Sequence, residues 1–193
     1  AIASLADSFS SFDRNEALAP QLRQALCEAS GKVFQRLNGL GGSTAIVCHI
    51  FREQLWFACV GDSSLYLLRD QQLNRLNQEH TVCTQRYEEA LLSGSTDPSS
   101  GRNDPQSHAV TSFLGREELN QIDCLLRPLP LQAGDVLLLC SDGVSGTLSE
   151  ETLLACLQQE TPEYSCIAME EEIKTRNKPG QDNYTALVIR CEN

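Results

Sequence analysis

Between residues 44 and 76 the chain passes through four short β-type stretches: Thr44 to Phe51, Leu55 to Val60, Leu65 to Arg69 and Gln72 to Leu76. Turn chemistry separates them at Arg52-Glu53-Gln54, Gly61-Asp62-Ser63 and Asp70-Gln71. Runs this short with turns this tight predict an antiparallel meander. Helices come before it. Ile2, Leu5, Phe9 and Phe12 recur at helical spacing; after a break at residues 13–15, so do Leu22, Ala25, Leu26, Ala29, Val33 and Leu37, and Gly39 to Gly42 closes the second helix.

After the strands, residues 79–94 carry a modest helical pattern. The stretch "SGSTDPSSGRNDPQS" at 93–107 reads as a mobile flap or loop. Strands are expected at 122–127 and 135–140, joined by a turn through "RPLPLQAGD". Helices follow at 150–159, capped by Ser149, and at 163–176, closed by "NKPG"; a last strand runs over 184–191. Helices grouped at the start and late middle, with antiparallel strands around them, predict an α+β layered domain, not an alternating doubly wound one.

At 193 residues and 41% hydrophobic content, one core is the expectation, so residues 1–193 read as a single domain. The net charge of −11 is spread along the chain, and Glu170-Glu171-Glu172 lies beside Lys174 and Arg176 as on a solvated helix face. With no basic stripe, nucleic acid is excluded as a partner. No apolar run reaches the roughly 18 residues of a membrane span, so no membrane partner is expected. Of nine cysteines, Cys48, Cys59, Cys124, Cys140 and Cys191 sit in apolar strand-like runs without Cys-x-x-Cys pairing. They read as reduced thiols of a cytoplasmic protein.

Three aspartates share one grammar. Asp62 follows "LWFACV", Asp142 follows "VLLLC" and Asp182 precedes "YTALVI", so each lies where a buried strand meets a loop. Singly, each is an ordinary turn residue. Together they point to acids gathered at one sheet end, where mutual repulsion is relieved by a hard cation such as Mg²⁺ or Mn²⁺.

Six segments carry a resemblance: "GGSTAIV" (41–47), "FACVGDSSLYLLRD" (57–70), "LNQEHTV" (76–82), "VTSFLG" (110–115), "AGDVLLLCSDGV" (133–144) and "QDNYTALVI" (181–189). In this order they resemble the successive motifs of the PPM family, the metal-dependent, type 2C protein serine/threonine phosphatases, in its bacterial form. The resemblance implies a four-layer α-β-β-α sandwich, with two antiparallel sheets flanked by helices and a binuclear Mn²⁺ or Mg²⁺ centre at one edge. By the same resemblance Asp142 and Asp182 are metal ligands, and Asp62 is the acid of a third, weaker ion. Gly61, Ser63, Gly143 and Asn183 shape the site behind them. The implied reaction is hydrolysis of a phosphoserine or phosphothreonine ester by a metal-bridging hydroxide, the two ions lying about 3.5–4 Å apart. The implied partners are phosphorylated proteins and a Hanks-type serine/threonine kinase with its targets.

The family pattern also has an Arg-x-x-Asn-Glu-Asp-like strand and an Asp-Gly-x-Gly-Gly turn ahead of the helix that "AIASLADSFSSF" resembles. Neither is present, so the domain is expected to lack its N-terminal strands. "DRNEAL" at 13–18 imitates the first motif in the wrong place. That gap keeps an alternative open: a non-catalytic PPM-fold module that binds phosphoproteins or regulates another domain. Ser64 stands where Gly-Asp-Ser-Arg is common, a change that reads as loss of a surface cation. Glu79 and His80 read as structure at the entry to the flap, with proton transfer by His80 as a second reading. His49 reads as a sheet histidine, His108 as a loop anchor and Trp56 as core. No cysteine stands beside a plausible base, which disfavours a cysteine nucleophile.

Overall fold

The computed structural model describes all residues except 11, 13–16, 96, 98, 100, 103 and 193. The break expected at 13–15 and most of "DRNEAL" therefore lie outside the described residues, as do four positions of the 93–107 stretch. The elements in chain order are α1 (Ile2–Ser10), α2 (Leu18–Leu37), β1 (Ala45–Phe51), β2 (Gln54–Val60), β3 (Ser64–Arg69), β4 (Gln72–Arg75), α3 (Val82–Leu92), β5 (Asp123–Cys124), β6 (Leu129–Pro130), β7 (Val136–Cys140), α4 (Asp142–Ser145), α5 (Glu150–Leu157), α6 (Pro162–Arg176) and β8 (Ala186–Arg190).

The strands form two four-stranded sheets, one ordered β1-β2-β5 with β6 also on β2, the other ordered β4-β3-β7-β8. With helices beside them, they give the α+β class of two antiparallel sheets. The single meander expected for residues 44–76 is corrected: β1 and β2 belong to one sheet, β3 and β4 to the other. The change of sheet falls at Gly61, whose φ of +101° is left-handed and whose missing Cβ would run into Thr44. Only glycine accepts both conditions without strain. The two hairpins are closed differently, by residue pairs with positive φ at both positions: Arg52 and Glu53 (50° and 60°), Asp70 and Gln71 (50° and 61°). This is the twist-matched two-residue turn, reached here without glycine.

Two smaller differences concern residues 122–135. The strand expected over 122–127 is reduced to two residues, and the proline-rich connection contains β6, where Leu129 and Pro130 pair with Leu55 and Gln54. Proline is tolerated there because β6 pairs on one side only.

By contacts the chain divides into two compact units. The first is Ala1–His49, Trp56–Asp62 and Glu79–Pro128; the second is Ile50–Leu55, Ser63–Gln78 and Leu129–Asn193. In the first, Leu22, Leu26 and Ala29 of α2 lie on one helical face against Val47, Ala58, Val60 and Leu114, with Phe9 and Trp56 packed on them. His49 stacks on Phe9 and meets the edge of Trp56, both at 6.3 Å between ring centres. In the second unit, Tyr66, Leu68, Val136, Leu138 and Val188 present one sheet face to Leu153 and Leu157 of α5 and Met169 and Ile173 of α6. Ser149 caps α5 as the sequence predicts, accepting from the Thr152 N–H; the structure adds a second cap, Thr161 ahead of Pro162, which accepts from the Tyr164 N–H. Arg69 clamps the buried Asp135 through both carboxylate oxygens, at 2.9 and 2.6 Å, and Asp135 also accepts the Gln132 N–H. Burial pushes the Asp135 carboxyl up, but these donors outweigh it and hold it below the usual carboxylate range.

Candidate functional site at the β7–β8 end

The second sheet decides where two of the three aspartates go. β7 and β8 pair antiparallel from Val136↔Arg190 to Cys140↔Ala186, so the exit of one strand and the entrance of the other share an edge. The pairing continues one step further through a side chain. The Ser141 N–H donates to the Thr185 carbonyl at 3.0 Å, and the Thr185 N–H donates to the Ser141 hydroxyl at 3.1 Å. Beyond it Asp142 opens α4, a short helix that sequence patterning missed, because Ser-Asp-Gly reads equally as a turn.

Gly143 and Asn183 fix how the two chain segments pass. A Cβ on Gly143 would overlap the Asn183 carbonyl oxygen and lie 2.9 Å from its carbon, so glycine is what permits the approach. Gln181 ties the same segments together. Its amide donates to the Gly143 carbonyl at 2.9 Å and to the Asp182 carbonyl at 3.0 Å, while its oxygen accepts from the Thr147 hydroxyl at 2.8 Å. One Asp182 carboxylate oxygen accepts the Asn183 N–H at 2.7 Å. Asp142, Asp182 and Asn183 are exposed and Gly143 is buried. Asp142 and Asp182 thus stand on adjacent segments at one sheet edge, open to solvent, and carboxylate oxygen is the donor type that hard divalent cations accept.

The third aspartate belongs to the other unit. Asp62 is half-buried and follows Gly61. The Gly61 N–H donates to His80 Nδ1 at 3.1 Å, and its carbonyl accepts the His80 N–H at 2.9 Å. His80 is buried, and burial lowers its pKa. A ring whose Nδ1 accepts carries its proton on Nε2, so this histidine is neutral and braces the turn. Ser63, in the second unit, accepts from the Asn77 amide through its carbonyl at 2.9 Å. Thus Asp142, Gly143, Asp182 and Asn183 are brought together, while Gly61 and Asp62 lie in the first unit. Among the described residues, no group of three or more His, Cys, Asp or Glu side chains is gathered that could hold a metal ion.

Ser64 corrects the sequence reading. It is fully buried, not a surface position, and a cation does reach it: Arg75 Nη2 of β4 donates to its hydroxyl at 2.8 Å. Ser64 in turn donates to Ser145 of α4 at 3.2 Å. Neither Arg75 nor Ser145 was visible as a site residue; a polar residue at the end of a four-residue strand gives no signal beyond that of a surface position. Burial pushes the Cys140 thiol up to about 11. It is therefore protonated at neutral pH and unsuited to act as a nucleophile.

No helix among the described residues is long and apolar enough to cross a membrane. A family model described as "Protein phosphatase 2C" matches residues 1–89. The serine/threonine phosphatase Stp of Listeria monocytogenes is 28% identical over 156 residues, 79% of this chain and 58% of that protein, so the chain spans little over half of its length. The crystal structure of the Mycobacterium tuberculosis serine/threonine phosphatase PstP/Ppp superposes with a TM-score of 0.81 at 25% identity, over 100% of this chain and 80% of that one. The catalytic domain of a PstP in complex with two manganese ions superposes with a TM-score of 0.73 at 24% identity, over 97% of this chain and 76% of that one. Family model, relatives and fold agree with the six ordered motifs in what the chain is similar to: bacterial serine/threonine phosphatases of the protein phosphatase 2C, or PPM, kind.

Proposed function

We propose that the protein is a metal-dependent serine/threonine phosphatase in which Asp142 and Asp182 hold the metal pair and Asp62 contributes to a third ion. The observation that carries this reading is the β7–β8 pairing, which sets both carboxylates at one sheet edge with Gly143 against Asn183. Mn²⁺ or Mg²⁺ suits these donors, and two manganese ions in the PstP catalytic domain support the count. Bound there, such ions would supply Lewis-acid polarisation of a phosphoryl oxygen and an activated water. The chain's own part is geometric. Gly143 lets the two segments approach, Gln181 ties their backbones together, and the Asn183 N–H donates to one Asp182 oxygen and favours one orientation of that carboxylate. Held donors of this kind lower the reorganisation needed when phosphate arrives.

The substrates in this reading are phosphoserine and phosphothreonine proteins, with a serine/threonine kinase sharing the same targets. The setting is the cytoplasm, where nine thiols stay reduced. The test is hydrolysis of p-nitrophenyl phosphate and of a phosphothreonine peptide, with Mn²⁺, by the protein carrying these 193 residues. Asp142→Asn and Asp182→Asn should each abolish turnover and the Mn²⁺-induced rise in melting temperature. Full turnover in either variant would refute the ligand assignment. Mn²⁺-independent capture of the phosphopeptide without turnover would favour the alternative, a phosphoprotein-binding module.

A further inference from the structure

Asp142 sits on a helix that cannot hold itself in place. α4 has four residues, and a first helical turn fixes several residues in return for a single hydrogen bond. Its position must come from contacts outside it. At its start these are Ser141 with Thr185 and Gly143 with Gln181, described above. At its last residue the contact is of another kind.

Ser145 takes a hydrogen bond from the hydroxyl of Ser64, the first residue of β3, which lies opposite Cys140 in the strand pairing. That hydroxyl accepts from the guanidinium of Arg75, whose charged end also lies 5.8 Å over the Tyr66 ring. A hydroxyl that accepts from a cation has its own proton directed away from it, and a charged donor strengthens the bond that follows. The direction of the Ser64 proton is thereby set toward α4. A small residue occupies the start of β3, and the guanidinium reaches it from the neighbouring strand β4.

We propose that Arg75, acting through Ser64 and Ser145, is a positioning residue that fixes α4 and hence the Asp142 carboxylate for metal binding. The inference rests on Asp142 being a metal ligand. Partners that orient ligands in this way typically change metal affinity by about 10–100-fold when removed.

The experiment is calorimetric titration of Mn²⁺ into the protein, wild type against Arg75→Met, Arg75→Lys, Ser145→Ala and the Arg75→Met/Ser145→Ala pair, with Asp142→Asn as reference. Arg75→Met and Ser145→Ala should each weaken Mn²⁺ binding roughly tenfold. The double variant should be no weaker than either single one, because both interrupt one path. Arg75→Lys, which still donates to Ser64, should recover most of the affinity. Removing a nearby positive charge by itself would favour a cation. Tighter Mn²⁺ binding in Arg75→Met with no change in Ser145→Ala would therefore show that Arg75 acts only through its charge, and would overturn the proposal. So would additive losses in the double variant. If Arg75→Met fails to fold, Ser145→Ala, which changes no charge, carries the test. Loss of binding in Asp142→Asn with no loss in Ser145→Ala would sink the positioning role alone; unchanged binding in Asp142→Asn would sink the metal reading with it.

Discussion

The Gly143–Asn183 contact offers a direct test of how tightly the β7–β8 end is built. In Gly143→Ala the new Cβ would lie 2.9 Å from the Asn183 carbonyl carbon and 3.2 Å from Tyr184 Cα, all of it fixed backbone. Carbon–carbon contact becomes comfortable near 3.5 Å, so the 181–184 segment must retreat by at least about 0.6 Å. Overpacking of this size costs about 1–3 kcal/mol. At about 2–4 °C per kcal/mol for a chain this long, a loss of roughly 2 kcal/mol lowers the melting temperature by about 4–8 °C. A second effect follows from the displacement. Ligand positions tolerate only about 0.2 Å, so separating Asp182 from Asp142 should weaken Mn²⁺ binding at least tenfold. At a free Mn²⁺ of about 100 times the wild-type dissociation constant, linkage gives about 2.7 kcal/mol of stabilisation to wild type and about 1.4 to the variant. Differential scanning fluorimetry with and without Mn²⁺ measures both effects. A variant with unchanged melting temperature and an unreduced Mn²⁺ shift would refute the claim that this contact sets the acid pair.

His80→Leu should cost about 1–3 kcal/mol by leaving the Gly61 N–H without an acceptor, whereas His80→Asn, which offers an oxygen near the Nδ1 position, should recover most of it in urea unfolding. Because burial lowers the folded pKa of His80 below its ordinary 6.5, the unfolded chain binds the proton first; stability is full above that value and falls as pH drops through the folded one, a slope that His80→Asn should flatten. Arg69→Met should cost about 3 kcal/mol or more by stranding the buried Asp135 carboxylate. In wild type the Asp135 contribution is complete above the unfolded value of 3.8 and is lost as pH falls through its depressed folded value, so Arg69→Met should lose that acid-side slope in melting temperature. Limited proteolysis should cut first within residues 93–107, whose Ser, Pro, Gly and Asp content buries little; first cleavage within 133–144 would refute this.

The sequence announced elements where local chemistry decides them. Ser149 begins α5 as an N-cap, the strands expected at 65–69 and 72–76 emerge at Ser64–Arg69 and Gln72–Arg75, and the apolar spacing of Leu22, Leu26 and Ala29 names the buried face of α2. It failed where the decision is non-local. "LWFACV" and "SLYLL" are both continuous apolar runs, and nothing in either says that β2 pairs with residues 123–124 while β3 pairs with 136–140. Short spacing favoured a meander, and the left-handed Gly61 crowded by Thr44 is what sends the chain into a second sheet. β6 was lost for a related reason: a Leu-Pro pair looks like a turn until a partner strand is available on one side only.

At the site the same division separates residue identity from residue position. That an acid ends β7 and another precedes β8 is written in "CSDG" and "QDNY", and turn chemistry alone explains why such residues are tolerated there. Turn chemistry does not place a carboxylate within the few tenths of an ångström that a shared ion demands. The contacts that tie the segments bearing Asp142 and Asp182 reach across the chain: Gln181 to Gly143 over 38 residues, Thr185 to Ser141 over 44 and Ser64 to Ser145 over 81. None has a local signature, since each is an ordinary polar residue or a glycine until the sheet pairs. The chemistry of a carboxylate site can thus be read from a strand end, while its precision depends on small hydroxyls, one amide and one glycine whose roles exist only in the folded sheet.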